Sequence, residues 1–511
     1  MSSRSTALII GAGLGGIAIA ARLARQGYQV TVLEKNAKPG GRCDQLIRDG
    51  HRFDLGPTLF LMPEIFAETY AALGAQLDDQ LDLRRIDPTY RVRFDDGVSL
   101  SLTSDLNSLE SQLEAIEPGA FGGLLRYLDE GRVNYHTSLQ KFVGRNFYNL
   151  AQYFSPTNLP LLFKLKALVK HYNNIGHYFA DPHLKAAFTF QNMYLGLSPY
   201  DAPATYSLLQ YTELADGVWF PMGGLYRVIE NLADLAASLG VRFEYDTPVD
   251  QIEVEGQRAT GVILHDGTRR TADVIVANAD LPYVYRHLLP DQAEADRLEK
   301  LQYTCSAIMF YWATDCIYPQ LDTHNVFLAG DYRNSFDRIF HDHTLPDRPS
   351  FYVHAPARVD PAAAPVGQDT LFVLVPVGHI DDRAAQYWDA LAAQARSAVV
   401  NRLADLGVND LEQHLKYEVT YTPREWLNGY NLAKGAAFGL SHNFAQVGYL
   451  RPHNRHARYR NLYFVGSSTH PGAGLPMALL SARLTTERIL KEVGVVRPIT
   501  TAPAHLNWVR A

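Results

Sequence analysis

The first forty-two residues constrain this chain more than any other stretch. An apolar run, Ala7, Leu8, Ile9 and Ile10, leads into Gly11, Gly13 and Gly16 in GxGxxG spacing, and a second apolar run ends at Glu34. Each glycine has a physical reason. Gly11 lets the chain turn sharply out of a strand, Gly13 lets backbone amides approach a pyrophosphate, and Gly16 lets the next helix pack close to the sheet. The helix start offers unpaired N–H groups and the positive end of a dipole to the phosphates. Glu34 stands where a dinucleotide site needs an acceptor for the ribose hydroxyls. Together these predict a Rossmann-like α/β dinucleotide domain.

The turn Lys38-Pro39-Gly40-Gly41-Arg42 follows at once, with two more glycines and a cation that a plain nicotinamide domain does not require. This GGR turn resembles the FAD-binding signature of the flavin amine oxidases and carotenoid desaturases. A third signal lies near the C-terminus, where an apolar strand reaching Gly466 is followed by a Gly/Pro loop and a helical run through Leu490. Pro476 suits the first turn of that helix, because its missing N–H is not needed there. The helix would aim its positive end at the pyrimidine edge of a flavin, where charge gathers on reduction.

Composition sets outer limits. With 511 residues, 47% of them hydrophobic, the chain can bury two or three domains. A net charge of -7 gives it nothing with which to neutralise a nucleic-acid backbone. Cys43, Cys305 and Cys316 form neither a disulfide framework nor a metal-ligand spacing, so no metal is expected and a reducing cytoplasm suits them. The first strand begins by about Thr6, which leaves no room for a cleavable signal, and no uninterrupted apolar run of about twenty residues is present.

The pattern of elements predicts a discontinuous cofactor domain from residues 1–70, 225–300 and 455–511. A largely helical, aromatic subdomain is expected at 100–224, and a sheet-bearing substrate domain at 300–450. Phe188, Phe190, Met193, Tyr194, Phe310, Tyr311 and Trp312 supply the aromatic density that a lipophilic tunnel needs, or simply fill cores. Residues 159–172, LPLLFKLKALVKHY, have the composition of a helix lying in a lipid headgroup region, or of a core helix with solvated lysines.

GAGLGG at 11–16, the GGR turn, FDLGPT at 53–58, GVWFPMGG at 217–224, RPHNR at 451–455 and THPGAGLP at 469–476 resemble, in the same order, the bacterial-type phytoene desaturase family. The resemblance spans essentially the whole chain. It implies an FAD-dependent desaturation of an acyclic polyene, phytoene or a thirty-carbon relative, by hydride transfer at a membrane surface, with oxygen or a quinone as electron acceptor. It implies a protein peripherally attached to the membrane from the cytoplasm. Carried over by position, Gly11, Gly13, Gly16, Glu34, Lys35, Gly41, Arg42, Thr58, Val249, Asp280, Gly466, Gly474, Leu475, Pro476 and Met477 would hold FAD, with the Val249 backbone against the adenine. His470, beside the expected flavin, is the one candidate base, or else a histidine that fixes its loop. Asn149 stands where some relatives carry an acid. Close relatives also oxidise terminal methyl groups to aldehydes or isomerise polyenes, and a vestigial flavin site would leave a carotenoid carrier; net loss of hydrogen separates desaturation from isomerisation, incorporated oxygen identifies the oxygenase, and turnover of any kind excludes the carrier.

Overall fold

The structure is a computed structural model that describes residues 5–494 except 382 and 385. The predicted final piece of the cofactor domain therefore passes outside the described residues from 495 onward.

Five parallel strands form the first sheet: β1 (Thr6–Ile10), β2 (Gln29–Leu33), β3 (Arg242–Glu244), β4 (Val274–Ala277) and β5 (Leu462–Phe464). Their order is β5-β4-β1-β2-β3, so segments far apart in the chain share one sheet. Alternation along β1 explains its two-sided burial. Ala7 and Ile9 join one core with helices α1 (Leu14–Arg25), α2 (Tyr226–Ser238) and α3 (Leu475–Glu492), while Leu8 and Ile10 join another. That second core is completed by Ile252 and Val262 of a three-stranded antiparallel sheet, Val249–Glu255, Arg258–Leu264 and Arg269–Thr271. Each fully buried Leu or Ile there contributes about 1.5–3 kcal/mol.

A seven-stranded mixed sheet forms the second body. Its order is Leu415–Tyr421, Ser306–Thr314, Asp369–Val377, Phe351–His354, His324–Phe327, Tyr90–Arg93 and Ser99–Leu102. The sheet expected within 300–450 thus recruits a hairpin from residues 90–102, joined through a parallel pairing of Asn325 with Arg91. Strand Ser306–Thr314 is buried along its whole length. Ile308, Phe310 and Trp312 face the core under helix Trp388–Ala404, and Met309 and Tyr311 face Phe53 and Trp426.

The insertion around 106–216 is mainly helical, led by Leu106–Ile116 and Ala120–Ser138. Residues 159–172 are not the single interfacial helix that their composition suggests. A short helix, Leu159–Lys164, gives way to a left-handed turn at Lys166 (φ 51°), and a new helix starts at His171. Lys166 pairs with Glu130 and donates to Asn174 at 2.8 Å, and Lys170 pairs with Asp201 at 3.3 Å. Two of its lysines are therefore tied to carboxylates on their own protein. Among the described residues no helix is long and apolar enough to cross a membrane.

Candidate active site

The glycine loop closes around one unforeseen side chain, Asn278, just after β4. A Cβ on Gly11 would lie 2.9 Å from the Asn278 carbonyl oxygen, and one on Gly13 or Gly15 would lie 2.8 Å from its side-chain amide. Gly16 is tighter still, with 2.1 Å between an added Cβ and the Gly11 oxygen. The GGR turn is stitched to this loop: Gly40 N–H donates to Ala12 O at 2.9 Å, and Gly13 and Gly40 form a parallel bridge. Gly41 takes φ 58°, and a Cβ there would sit 3.5 Å from Gly13 Cα.

Glu34 is buried, and burial raises its pKa although Asn36 N–H, Ala12 N–H and Lys35 oppose the shift. Its Oε2 accepts from Ala12 N at 2.7 Å and its Oε1 from Asn36 N at 2.9 Å, which leaves further lone pairs for a ribose. Lys35 Nζ donates to Asn431 Oδ1 at 3.1 Å. Thr247 N donates to Glu34 O at 2.8 Å, so the segment entering Val249 runs beside Glu34.

At the other end of the cleft, half-buried Arg42 donates to Ala437 O at 3.0 Å and to Ser467 Oγ. Asp280 accepts from Ser468 Oγ and, at 3.0 Å, from Ala433 N. Burial raises the Asp280 pKa and lowers that of Arg42, and the attraction between them opposes both shifts. Behind them Arg451 is buried among backbone carbonyls, donating to Ser467 O at 2.6 Å and to Thr469 O at 3.1 Å. Helices α1 and α3 start at Gly13 and Gly474 without a side-chain cap and without an acid in the first turn. Both therefore keep N–H groups and a positive end for an anionic or electron-rich ligand. Two uncapped helix starts, a ribose acceptor and a half-buried guanidinium along one cleft suit a flavin dinucleotide.

A cavity of about 430 Å³ opens from the loop residues Gly472, Gly474 and Met477 and from Thr58. Its wall is mostly hydrocarbon. Phe190, Met193 and Tyr194 border it as the sequence suggests, but Phe188 packs on Phe179, and Phe310, Tyr311 and Trp312 belong to the sheet cores instead. His470 borders the cavity, and its Nε2 lies 2.9 Å from the Arg145 carbonyl, so that nitrogen carries the proton. Burial lowers its pKa to about 4, which keeps the ring neutral. The companion ring His442 accepts from Ala473 N at 2.9 Å and steadies the same loop. Asn149 is exposed and caps helix Leu150–Tyr153 by accepting from Gln152 N at 2.9 Å. An acid at that position would sit at this surface. Among the described residues Asp315, Cys316 and His414 bring ligand atoms within 4.8 Å of one another at the end of strand Ser306–Thr314, where His414 Nδ1 is already 2.6 Å from Asp315.

Comparison with known proteins places these features in a family. Residues 14–490 match the flavin containing amine oxidoreductases. A zeta-carotene-forming phytoene desaturase from Myxococcus xanthus is 48% identical over 99% of this chain and 98% of its own length. A 4,4'-diapophytoene desaturase (4,4'-diaponeurosporene-forming) from Staphylococcus aureus is 34% identical over 95% of this chain and 98% of that one. Among solved structures, a putrescine oxidase variant superposes with a TM-score of 0.64 at 15% identity, covering 96% of this chain and 99% of its own, which shows a shared fold. The chain belongs to the carotenoid desaturase branch of the flavin-containing amine oxidoreductases.

Proposed function

We propose that the protein desaturates phytoene, removing a hydride and a proton from neighbouring carbons of the chain. The observation that carries this reading is the hydrocarbon-lined cavity ending at the uncapped start of α3. FAD, when bound, supplies the acceptor for a hydride and its electron pair. Gly11, Gly13, Gly16 and Gly41 would hold its diphosphate, Glu34 and Lys35 its ribose end, and Val249 its adenine, with Arg42 at the ring end. Thr58, Asp280, Gly466, Gly474, Leu475, Pro476 and Met477 would frame the ring. The apolar wall keeps water away from the allylic cation left by hydride loss, which would otherwise be trapped as an alcohol. His470, neutral and donating to Arg145, positions the loop. Oxygen or a quinone, each apolar enough for this cavity, completes the cycle as electron acceptor. The higher identity to the phytoene-acting relative supports a forty-carbon substrate.

The test is the absorption spectrum of lipid extracted after the FAD-loaded protein meets phytoene in liposomes, beside a thirty-carbon sample. Fine-structured visible bands from phytoene, and weaker ones or none from the shorter chain, are expected. Colourless extracts from both, with FAD bound and an acceptor present, would move the assignment to an enzyme of already coloured polyenes, the methyl oxygenase first.

Membrane contact belongs to the same reading. Leu162, Leu165 and Ala167 border the cavity, while their neighbours Leu159, Phe163, Leu168 and Val169 are exposed, Phe163 by 68% and Leu168 by 67%. Apolar side chains at a cavity mouth suit entry of a lipid-dissolved substrate. Phe163→Ser with Leu168→Ser is expected to abolish co-sedimentation with liposomes while FAD absorbance per protein stays unchanged. Sedimentation equal to wild type would refute the docking surface.

A further inference from the structure

The hydrocarbon wall is interrupted at one place by a buried polar cluster. Tyr90, Tyr194, Tyr352 and Thr58 border the cavity there. Behind them Glu213, His324 and His354 are almost wholly buried. The Tyr194 hydroxyl donates to Tyr90 Oη, and Tyr90 donates to Glu213 Oε1 at 3.2 Å. Gln191 Nε2 donates to Glu213 Oε2 at 3.2 Å. Next to this pair, the Tyr352 hydroxyl lies 2.9 Å from Thr58 Oγ1 and 2.6 Å from His324 Nδ1, and the His324 ring stands 5.7 Å from that of Tyr90.

Such a cluster is costly beside a hydrocarbon, since a buried carboxyl and phenols pack no better than leucines and must satisfy one another. His324 Nε2 and His354 Nε2 are buried without a hydrogen-bond partner. The desaturation leaves one need unmet by His470 or Asn149: an acceptor, inside a water-free cavity, for the proton of the allylic cation.

We propose that Tyr90 and Glu213 take up this proton, Tyr90 Oη meeting the substrate and Glu213 receiving the charge; the proposal rests on the desaturase reading above. Bound FAD would supply the acceptor for the hydride that leaves one carbon with its electron pair. The C–H bond of the neighbouring carbon then breaks, and its pair becomes the second bond of the new double bond. Its proton passes to Tyr90 Oη as the phenolic proton moves to Glu213 Oε1. The substrate loses two hydrogens, and Glu213 ends as a neutral acid that must release its proton before the next turn. Tyr90 is the catalytic residue in this scheme, and Glu213 acts through it.

Burial raises the Glu213 pKa to about 8, opposed by the neighbouring Tyr194 and Tyr90 hydroxyls and the Gln191 amide. The groups facing it are those phenols and that amide, with Tyr127 close enough to sense its charge. The active carboxylate therefore becomes more abundant as pH rises toward about 8, and the rate should rise with it. The same shift has a sign for stability. Because the folded state raises this pKa from 4.5 to about 8, its contribution is full at acid pH, falls as pH rises above about 4.5 and is gone by about 8. A second phenol–carboxyl pair, Tyr135 donating to Glu64, reaches the cavity through Tyr135 alone, and Glu64 keeps part of its surface in solvent.

The experiment compares FAD-loaded wild type, Glu213→Gln, Glu213→Asp, Tyr90→Phe and Glu64→Gln on phytoene liposomes across pH, with FAD absorbance and thermal melting recorded for each. Glu213→Gln is expected to slow product formation by about 100-fold or more and Tyr90→Phe by about 10-fold or more, both with FAD retained. The rise of the wild-type rate toward pH about 8, and the fall of its melting temperature between about pH 4.5 and 8, should be lost in Glu213→Gln. Glu213→Asp should recover part of the rate, and Glu64→Gln should stay within about threefold of wild type. Glu213→Gln with wild-type rate and pH profile overturns the proposal, as does loss of the pH limb in Glu64→Gln alone. If Glu213→Gln fails to hold FAD, Tyr90→Phe, which removes one oxygen and keeps the ring, decides by the same criteria. An inactive wild type would instead remove the substrate reading on which the proposal stands.

Discussion

Gly16→Ala is expected to yield a colourless, less stable protein. The added Cβ would fall 2.1 Å from the Gly11 carbonyl oxygen and 3.0 Å from Asn278 Nδ2, and the first of these is backbone that no rotamer can move aside. Relief requires α1 to shift away from β1, at an overpacking cost of about 1–3 kcal/mol or more. The same shift withdraws the uncapped first turn of α1 from the diphosphate, so FAD affinity should fall with stability. Gly27→Ala is the matched control. Gly27 takes φ 91° but has nothing within 4 Å of an added Cβ, so it should cost about 1 kcal/mol of backbone strain and leave FAD bound. Flavin-to-protein absorbance and thermal melting of the two variants read both effects. Full FAD occupancy in Gly16→Ala would mean that the close packing seen here is not what presents α1 to the cofactor.

The contrast between these glycines also shows where a sequence is informative. The cofactor frame was legible because its constraints are local and chemically narrow: Gly11 must take φ 96°, Gly41 must take φ 58°, and Gly16 must admit a neighbouring backbone. Asn278 was not legible. It lies 267 residues from Gly11, and an isolated asparagine after an apolar strand carries no mark of the five glycines, Gly11, Gly13, Gly15, Gly16 and Gly466, that converge on it. Aromatic density predicted a lipophilic cavity but could not sort its members. In a nine-residue strand such as Ser306–Thr314, alternate side chains enter two different cores whatever their chemistry. The stretch 159–172 failed as a helix because composition does not reveal that Lys166 turns left-handed to reach Glu130. Glu213 sits four residues before GVWFPMGG and reads as an ordinary surface acid until the fold wraps Tyr90, Gln191 and Tyr194 around it.

Arg451→Met is expected to be the most damaging single side-chain change outside the glycine loop. Arg451 is 1% exposed and spends its guanidinium on five backbone carbonyls: Leu440 at 3.3 Å, Ser441 at 2.9 Å, Gln446 at 3.1 Å, Ser467 at 2.6 Å and Thr469 at 3.1 Å. Burial lowers its pKa to about 10, which still leaves it cationic at neutral pH. Methionine fills the volume but removes the guanidinium donors from those carbonyls, in a place water does not reach, and the expected loss is about 3–5 kcal/mol. The damage should be directional as well as large. Residues 467–469 carry the hydroxyl that Arg42 holds and the one that Asp280 holds, so freeing their carbonyls loosens the floor of the flavin-ring site first. Arg451→Lys keeps the charge but has three donors on one atom and cannot reach carbonyls spread around a planar fork, so it should rescue folding more than FAD affinity. Melting temperature and FAD binding by flavin fluorescence separate the two losses. A Met variant that melts with wild type and carries full FAD would show that the carbonyl cage is dispensable and that the loop is held by its other contacts, those of Arg42, Asp280, His442 and His470.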